Sequence, residues 1–363
     1  MTDRLSRTPL FDFHVAHGGR MVPFAGWEMP VQYTGIIEEH MAVRRAAGLF
    51  DVSHMGECRV TGPDAAAFLE RVMTNTMTTL PVGMARYTIL CQPDGGCVDD
   101  LIVYRLGAEE FLICLNASNA SKDIAWLRAQ AGQARVTIAD ECAAWAQLAL
   151  QGPLAESILA PLTAANLPAI KRFGFVTATV AGAAGCIISR TGYTGSPGFE
   201  IYLPAAVATQ VAEALLAAGK PHGLLLAGLG CRDSLRLEAG YPLYGHEISE
   251  VISPIQAGLG WTVKFAKPEF VGREALKRQA DGDLPSSVVL FSLNDRRIAR
   301  QGTPVFAGDT KVGEVLSGTL SPVLNKPIGT ALVAAGALAK GGLTVDIRGN
   351  RIPLEVAAEP FVK

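Results

Sequence analysis

A β-hairpin is predicted by the stretch RYTILCQPDGGCVDDLIVYRL, residues 86–106. Residues 86–91 favour a strand, Pro93-Asp94-Gly95-Gly96 is a strong turn signal, and a second strand-like run follows from Cys97 to Leu106. A further strand is expected at 111–115, and a helix begins at about Ser121. Strands and helices mixed in this way predict an α+β fold.

The acid pair Asp99-Asp100 stands at the start of the second strand of this hairpin. Successive side chains of a strand point to opposite faces, so Asp100 shares a face with Tyr104, and Asp99 points to the other face. Whichever face is buried therefore takes a carboxylate with it, and burying a carboxylate without partners is costly. One interpretation is an acid that ends the turn and stays in water. The other is an acid held in an apolar cleft to bind a polar ligand nitrogen.

Two further segments carry candidate polar residues. In RTGYTGSPGFEI, residues 190–201, three glycines and a proline predict a tight loop that lets backbone approach a ligand, and Glu200 then enters an apolar strand. A lone strand acid is more often a surface residue, which is the alternative there. In CRDSLRLEAG, residues 231–240, Arg232 and Arg236 are one helical turn apart. We expect one arginine to face a cleft and the other to face solvent; an ordinary salt-bridged helix is the alternative.

The chain repeats one motif and changes its pattern near residue 270. Gly62-Pro63-Asp64 and Gly152-Pro153-Leu154 each open a helix, which predicts two related α+β lobes. Lobe A takes about 1–50 plus 145–270, and lobe B takes about 51–144. Beyond 270, short apolar runs alternate with Gly, Pro and Asn turns, which predicts a small antiparallel barrel or sandwich over 280–363.

Composition and charge limit the classes of function. The chain has 363 residues, 49% of them apolar, with 32 basic against 34 acidic residues, so binding of nucleic acid by bulk charge is not expected. The seven cysteines are scattered and form no C-x-x-C pair, which indicates a reducing compartment. The start Met1-Thr2-Asp3-Arg4 opens no apolar segment, and no stretch reaches the ~20 apolar residues of a bilayer span. We therefore expect a cytoplasmic protein with no membrane partner.

Several common active-site motifs are absent from the sequence. It contains no G-x-G-x-x-G, no G-x-x-x-x-G-K-[ST] and no G-x-S-x-G, which argues against dinucleotide-binding, P-loop and α/β-hydrolase proteins. The six histidines form no H-E-x-x-H pattern, and no cysteine stands beside a histidine. We therefore expect neither a metal site nor a nucleophilic cysteine.

Taken together, five separated motifs resemble the glycine-cleavage T-protein family, the tetrahydrofolate-dependent aminomethyltransferases. They occur in the family's order, and the resemblance covers nearly the whole chain, from Thr8 to Val362. The motifs are FAGWEMP (24–30), FDVSHMG (50–56), GGCVDDLIV (95–103), GYTG (192–195) with Glu200, and RDSLRLEAG (232–240).

The resemblance implies a fold and a set of site residues. The fold is a three-domain cloverleaf, in which two related α+β lobes surround a central folate channel and a C-terminal antiparallel β-barrel follows. Residues 1–270 then form the folate-binding aminomethyltransferase region, and 280–363 form the barrel. Asp100 matches the family's catalytic aspartate. The residues that match the folate channel are Met55, Tyr87, Tyr104, Asn116, Tyr193, Glu200, Arg232 and Trp261.

The implied reaction moves one carbon from an aminomethyl group on the lipoyl arm of H-protein to tetrahydrofolate. It gives 5,10-methylenetetrahydrofolate, ammonia and dihydrolipoyl H-protein, so tetrahydrofolate is the expected co-substrate and lipoylated H-protein the expected partner. Two alternatives are a folate-dependent demethylase of a small methylated donor and a non-catalytic folate-binding iron–sulfur assembly protein. The assembly proteins usually carry K-G-C-Y-x-G-Q-E, and the nearest stretch here, GYPLYGHE (240–247), lacks the cysteine.

Overall fold

The computed structural model describes residues 5–282 and 284–362. The expectation about the N-terminus falls on Met1–Arg4, outside these residues. Contacts divide the chain into two compact units. The first unit takes the described residues of Met1–Ala65, Leu80–Arg86 and Ile102–Asp233, and the second those of Ala66–Thr79, Tyr87–Leu101 and Ser234–Lys363. Within the described ranges, no helix is long and apolar enough to cross a membrane.

The strands are numbered in chain order. They are β1 (Ser6–Arg7), β2 (Arg20–Phe24), β3 (Trp27–Gln32), β4 (Ala47–Asp51), β5 (Gly56–Thr61), β6 (Ala85–Cys91), β7 (Cys97–Gly107), β8 (Glu110–Leu115), β9 (Thr137–Asp140), β10 (Trp145–Gln151), β11 (Phe175–Val180), β12 (Ala183–Ser189), β13 (Gly198–Pro204), β14 (Leu224–Leu226), β15 (Ser286–Leu293), β16 (Pro304–Ala307), β17 (Thr310–Ser321), β18 (Lys326–Ala334), β19 (Leu343–Ile347) and β20 (Asn350–Ala357).

The α-helices follow the same numbering. They are α1 (Phe11–Ala16), α2 (Ile36–Arg45), α3 (Ala65–Val72), α4 (Ala120–Ala131), α5 (Ala155–Leu159), α6 (Ala208–Gly219), α7 (Leu229–Glu238), α8 (Arg273–Ala280) and α9 (Ala335–Leu338). Short 3-10 helices lie at Ala160–Leu162, Leu167–Ala169, Ala205–Val207, Lys220–His222 and Gly260–Thr262.

The predicted hairpin forms between β6 and β7. The amide of Gln92 donates to the carbonyl of Gly96 at 2.7 Å, and Gly95 has a φ of 94°, which a residue with a side chain rarely adopts. The hairpin belongs to a five-stranded sheet with the order β6-β7-β8-β5-β9. The turn residues therefore confirm the local prediction, and they set the register that fixes where the acids of β7 point.

The largest sheet of the first unit has the strand order β11-β12-β13-β10-β4-β14. Strand β14 runs parallel to β4, and the other neighbours are antiparallel. Strands β10 and β13 are buried along almost their whole length, because they lie in the middle of this sheet. Polar side chains on these two strands are therefore held away from water.

The two Gly-Pro turns share one geometry. Gly62 has a φ of 128° and Gly152 a φ of 134°, and each glycine carbonyl accepts a hydrogen bond of 3.0 Å from the amide three residues on. A Cβ at Gly62 would lie 2.3 Å from the carbonyl oxygen of Arg135, and one at Gly152 would lie 2.4 Å from that of Ala46. Only glycine fits either turn, which supports the repeated motif. The lobe boundaries themselves stay a prediction.

The C-terminal residues form a closed barrel with the order β15-β18-β17-β16-β19-β20, and every pairing in it is antiparallel. Its interior is filled by apolar side chains from alternate strand positions, among them Phe291, Leu293, Val305, Val333 and Val345. The barrel is confirmed and the sandwich is not formed. Helices and sheets together confirm the α+β class.

Candidate functional site

Glu200 lies on β13, directly after the glycine-rich loop that the sequence singled out. The loop is tied to β10: Thr194 Oγ1 donates to Gln151 Oε1 at 2.9 Å, and a Cβ at Gly198 would lie 2.4 Å from the carbonyl oxygen of Leu150. At Gly198 the close approach is therefore to protein, and contact of this loop with a ligand stays a prediction. The alternative for Glu200, a surface acid, is wrong, since Glu200 is only 7% exposed.

A chain of buried polar groups surrounds the Glu200 carboxylate. Gln147 Nε2 donates to Glu200 Oε1 and to Tyr202 Oη, each at 3.1 Å. Tyr202 Oη donates in turn to Tyr104 Oη at 3.1 Å, and Tyr104 Oη lies 3.3 Å from Thr191 Oγ1. Within the described ranges, Glu200 Oε2 has no hydrogen-bond partner. One oxygen of this buried carboxylate is thus fixed by protein, and the other is left for something else.

The charge of Arg232 acts on this carboxylate. Burial raises the pKa of Glu200, although the Thr191 hydroxyl, the Arg232 guanidinium and the Gln147 amide act in the opposite direction. The Arg232 guanidinium carbon lies 4.6 Å from the ring centre of Tyr193, which is a cation–π distance. The first unit therefore joins an unsatisfied acid, a cation and an aromatic face.

Met55 and Asn116 are the other predicted residues of the first unit. Met55, just before β5, packs against the apolar cluster that contains Tyr104 and Tyr202. Asn116 follows β8, and its carbonyl accepts a hydrogen bond of 2.9 Å from the amide of Asn119 in the turn before α4. Met55 thus borders the Glu200 network, whereas the place of Asn116 in the site stays a prediction.

In the second unit, Asp100 is grouped with Tyr87 and Trp261. Tyr87 Oη donates to Asp100 Oδ2 at 2.9 Å, and the Tyr87 ring stacks on Trp261 with centres 5.7 Å apart and planes at 27°. Trp261 is 57% exposed and Asp100 is half-buried, whereas Asp99 is fully buried. A carboxylate does go with the buried face, as expected, and Asp100 is the acid of the pair that keeps some access to solvent.

The prediction for the arginines of α7 is half wrong. Arg236 does not face solvent: it is 1% exposed, and its Nη1 donates to Glu247 Oε2 at 2.9 Å and to the carbonyl of Tyr241 at 3.2 Å. The partner acid lies beyond the helix, so neither the solvent interpretation nor a pair within the helix could have found it.

Sequence reasoning missed Gln147, Tyr202 and Thr191. Local signals pointed to two of these residues. Gln147 is a polar residue inside the apolar run 145–150, and Tyr202 shares a strand face with Glu200, two residues away. Neither signal shows that the two strands are neighbours, and that pairing makes the network.

Comparisons with known proteins agree with this architecture. The GCVT N-terminal domain matches residues 10–267, and the glycine cleavage T-protein C-terminal barrel domain matches residues 287–363. Aminomethyltransferases of Desulforamulus reducens and Moorella thermoacetica are each 48% identical over 360 residues, covering 99% of this chain and 98% of the relative. The glycine cleavage system aminomethyltransferase T from Bartonella henselae has a TM-score of 0.92 at 34% identity, covering 99% of this chain and 98% of that one. This chain therefore belongs to the glycine-cleavage T-protein family of aminomethyltransferases.

Proposed function

We propose that the chain transfers the one-carbon unit of an aminomethylated lipoyl arm, carried by an H-protein, to tetrahydrofolate. Relatives of nearly the same length are aminomethyltransferases, and the family uses tetrahydrofolate as a substrate. In the reaction the carbon loses its bonds to the amine nitrogen and to the lipoyl sulfur and gains bonds to N5 and N10 of the folate. The protons given up by N5 and N10 leave with the amine, as ammonia, and with the sulfur, so the lipoyl arm is released as a dithiol. Neither the demethylase nor the iron–sulfur assembly alternative is favoured by these relatives.

The observation that carries the proposal is the free oxygen of Glu200. The pterin of tetrahydrofolate offers two adjacent N–H donors, on its amide and amino groups, and a carboxylate accepts such a pair well. Glu200 fits this partner, since Gln147 fixes one oxygen from behind and Oε2 has no partner in the described part of the chain. Ligand donors would favour the ionised carboxylate, which burial alone disfavours.

Aromatic and thioether side chains supply the apolar surfaces that a flat pterin and its aryl ring require. In the first unit these are Tyr193 and Met55, with the Arg232 cation over the Tyr193 ring. Tyr104 is fully buried and belongs to the hydrogen-bonded network beside Glu200. In the second unit the stacked pair of Tyr87 and Trp261 offers a further aromatic surface. Such faces bind a ring by packing and orient it without consuming hydrogen bonds.

Asp100 is assigned the catalytic role, chiefly through orientation and charge. The Tyr87 hydroxyl orients the Asp100 carboxylate, and the negative charge of this carboxylate favours the positive charge that develops on the folate nitrogen as it forms its bond to the carbon. Holding the reacting groups in place contributes ~7–11 kcal/mol in favourable cases, whereas proton transfer by a side chain contributes about 10²–10⁴-fold in rate. Positioning therefore contributes more to the rate than proton transfer does, and the role of Asp100 is mainly to orient the reacting groups.

The test is release of ammonia from aminomethylated, lipoylated H-protein in the presence of tetrahydrofolate. We expect release from the wild-type protein and a turnover about 100-fold lower in Asp100→Asn, because the amide keeps the shape and loses the charge. The melting temperature of the variant should stay near that of wild type, since Asp100 is only half-buried.

Asp99→Asn is the matched control, because the neighbouring acid is fully buried and points to the other face of β7. It should change stability more than turnover. If Asp99→Asn abolishes turnover and Asp100→Asn does not, the assignment of the catalytic acid is wrong. No ammonia above the protein-free control, from folded wild-type protein, would contradict the proposed function itself.

A further inference from the structure

A second buried polar atom without a partner lies in the first unit, on His54. This residue occupies the turn between β4 and β5, and it is only 3% exposed. Its Nδ1 has no hydrogen-bond partner among residues 5–282 and 284–362. A ring nitrogen of this kind is normally bonded to protein or to water, so the exception requires a reason.

The turn that carries His54 is pinned to the strand that holds Glu200 in place. Ser53 Oγ accepts a hydrogen bond of 3.0 Å from the backbone amide of Gln147, and its own amide donates to Asp51 Oδ1 at 2.8 Å. Gln147 is the residue whose side chain fixes Glu200 Oε1. His54 and Met55, the next two residues after Ser53, are therefore anchored beside the Glu200 network.

The electrostatics place His54 near the same cation. Burial, together with the charge of Arg232, lowers the pKa of His54 to about 4, although Asp51 acts in the opposite direction. The ring is therefore neutral at physiological pH, and its Nδ1 is a donor or an acceptor according to the tautomer. Arg232 also acts on Glu200, so one cation lies within electrostatic range of both unsatisfied groups.

Protein partners do not complete the environment of His54. The nearby Asp51 carboxylate is already engaged, since Oδ2 accepts from Thr8 Oγ1 at 2.7 Å and lies 2.8 Å from His14 Nε2. Phe24 contacts the His54 ring edge-on, with centres 5.7 Å apart, and offers no polar atom. If the role of this residue were only structural, an apolar side chain would stabilise the fold more. A buried nitrogen without a hydrogen-bond partner loses its hydration and gains no compensating bond.

We propose that His54 is a further ligand-binding residue, whose Nδ1 forms a hydrogen bond with a polar atom of bound tetrahydrofolate. This inference rests on the proposed function, in which Glu200 binds the pterin. It adds a second polar contact, from the turn between β4 and β5, so the ligand meets two groups whose hydrogen bonds the described protein residues do not complete.

The experiment replaces His54 by Leu, Asn and Gln. The amide of Asn reaches the position of Nδ1, whereas that of Gln reaches the position of Nε2, so the pair separates the two ring nitrogens. We expect tetrahydrofolate affinity, measured by anaerobic calorimetry, to fall about tenfold in His54→Leu and in His54→Gln, and to be largely kept in His54→Asn. The KM for tetrahydrofolate should rise in the same order.

His17→Leu is the matched control, because His17 Nδ1 already has a protein partner, the carbonyl of Phe13 at 2.9 Å. Its affinity for tetrahydrofolate should equal that of wild type. Unchanged affinity in His54→Leu, with weakened binding in Glu200→Gln, overturns the inference about His54 and leaves the proposed function standing. Equal losses in His54→Asn and His54→Gln overturn the assignment to Nδ1, even if the Leu variant does not fold. Wild-type protein that binds no tetrahydrofolate overturns the proposed function, and this inference with it.

Discussion

Glu247 in the second unit and Glu200 in the first are both buried glutamates, yet their surroundings differ. Glu247 Oε2 accepts hydrogen bonds from Arg236 Nη1 at 2.9 Å and from the amide of Leu243 at 2.8 Å, and Oε1 accepts one from Thr330 Oγ1. Gln147 donates to Glu200 Oε1, and among the described residues Glu200 Oε2 has no hydrogen-bond partner. Although burial acts in the opposite direction, Arg236 and these donors lower the pKa of Glu247, whereas burial raises the pKa of Glu200.

The difference separates a structural acid from a binding acid. The Glu247 network is complete without any ligand, because each oxygen meets donors of the protein itself. The Glu200 network is complete on one side only, so the folded chain keeps a costly group that a ligand with N–H donors would satisfy. Burial alone does not identify a binding acid; what distinguishes Glu200 is an unpartnered oxygen together with the nearby cation and aromatic face of Arg232 and Tyr193.

The largest expected effect is on stability, in Glu247→Gln. Arg236, Leu243 and Thr330 all donate to Glu247, so an amide NH₂ would face donors and remove the negative charge that is paired with buried Arg236. We expect a loss of about 3–5 kcal/mol in the free energy of unfolding, measured by chemical denaturation. The double variant Arg236→Met/Glu247→Leu should recover much of this loss, since it removes both charges. A double variant as unstable as the single one would show that the pair itself is not the cause.

Glu200→Gln should have a smaller effect and a different kind of effect. We expect tetrahydrofolate affinity to fall about 10- to 100-fold, because hydrogen bonds to a charged group contribute ~1.5–3 kcal/mol. The melting temperature should stay level or rise, since the neutral amide removes a buried acid whose charged form is disfavoured. Calorimetry and thermal melting measure the two quantities, and a large fall in stability without a loss of affinity would make Glu200 a structural acid like Glu247.

Wild-type protein and Glu200→Gln should also differ in the pH dependence of tetrahydrofolate affinity. Because the pKa of free Glu200 is raised and the ligand's donors favour its ionised form, affinity should weaken as pH falls through that raised pKa. In Glu200→Gln the affinity should be flat over the same range, above the ordinary carboxyl pKa of ~4.3. A slope that persists in the variant would assign the titration to another group.

The smallest effect is expected at Glu57, a buried acid on β5 with both oxygens unpartnered in the described residues. Burial, with the charges of Glu141 and Asp140, raises its pKa, so the acid costs the fold more as pH rises from the unfolded pKa of ~4.3. We expect Glu57→Gln to raise the free energy of unfolding by about 1 kcal/mol at pH 8, or the melting temperature by roughly 2–4 °C, and to raise both by less at pH 5. The charges that act on Glu57 in the described part of the chain are those of Glu141 and Asp140, whereas the cation Arg232 acts on Glu200, so tetrahydrofolate affinity should not change in Glu57→Gln. A fall in affinity would place a second binding acid in this unit.

Sequence reasoning reached the elements that carry the chemistry. The turn Pro93–Gly96 and the alternation along β7 predicted that a buried face would take an acid with it, and the structure buries Asp99 and half-buries Asp100. The short antiparallel strands of the C-terminal region also followed from their turn spacing, which left a barrel and a sandwich as alternatives. These predictions succeeded because strand alternation and turn residues depend on a few neighbouring positions, and the local sequence determines the backbone geometry at that range.

The failures share one physical reason. One of the two arginines of α7 was expected in solvent, or else in an ordinary salt bridge of its helix. Arg236 instead pairs with Glu247, which is 11 residues away and beyond the end of α7. The loop after Arg190 was predicted from its glycines, but nothing in the sequence indicated that Gly192 and Gly198 lie against β10, which is far from them along the chain. Side-chain pairing depends on which helices, strands and loops become neighbours in the fold, and the spacing of residues along the chain does not determine that.

The sequence by itself determined the hairpin, the glycine turns, the barrel strands and the choice of acids near turns, because each depends on local backbone preferences and on the period of apolar residues. Only the tertiary structure decided which buried carboxylate has hydrogen-bond donors on both of its oxygens. Gln147 meets Glu200 across 53 residues, and Thr330 meets Glu247 across 83. Those contacts arise from strand pairing and packing, and they are what distinguish an acid that stabilises the fold from one that awaits a ligand.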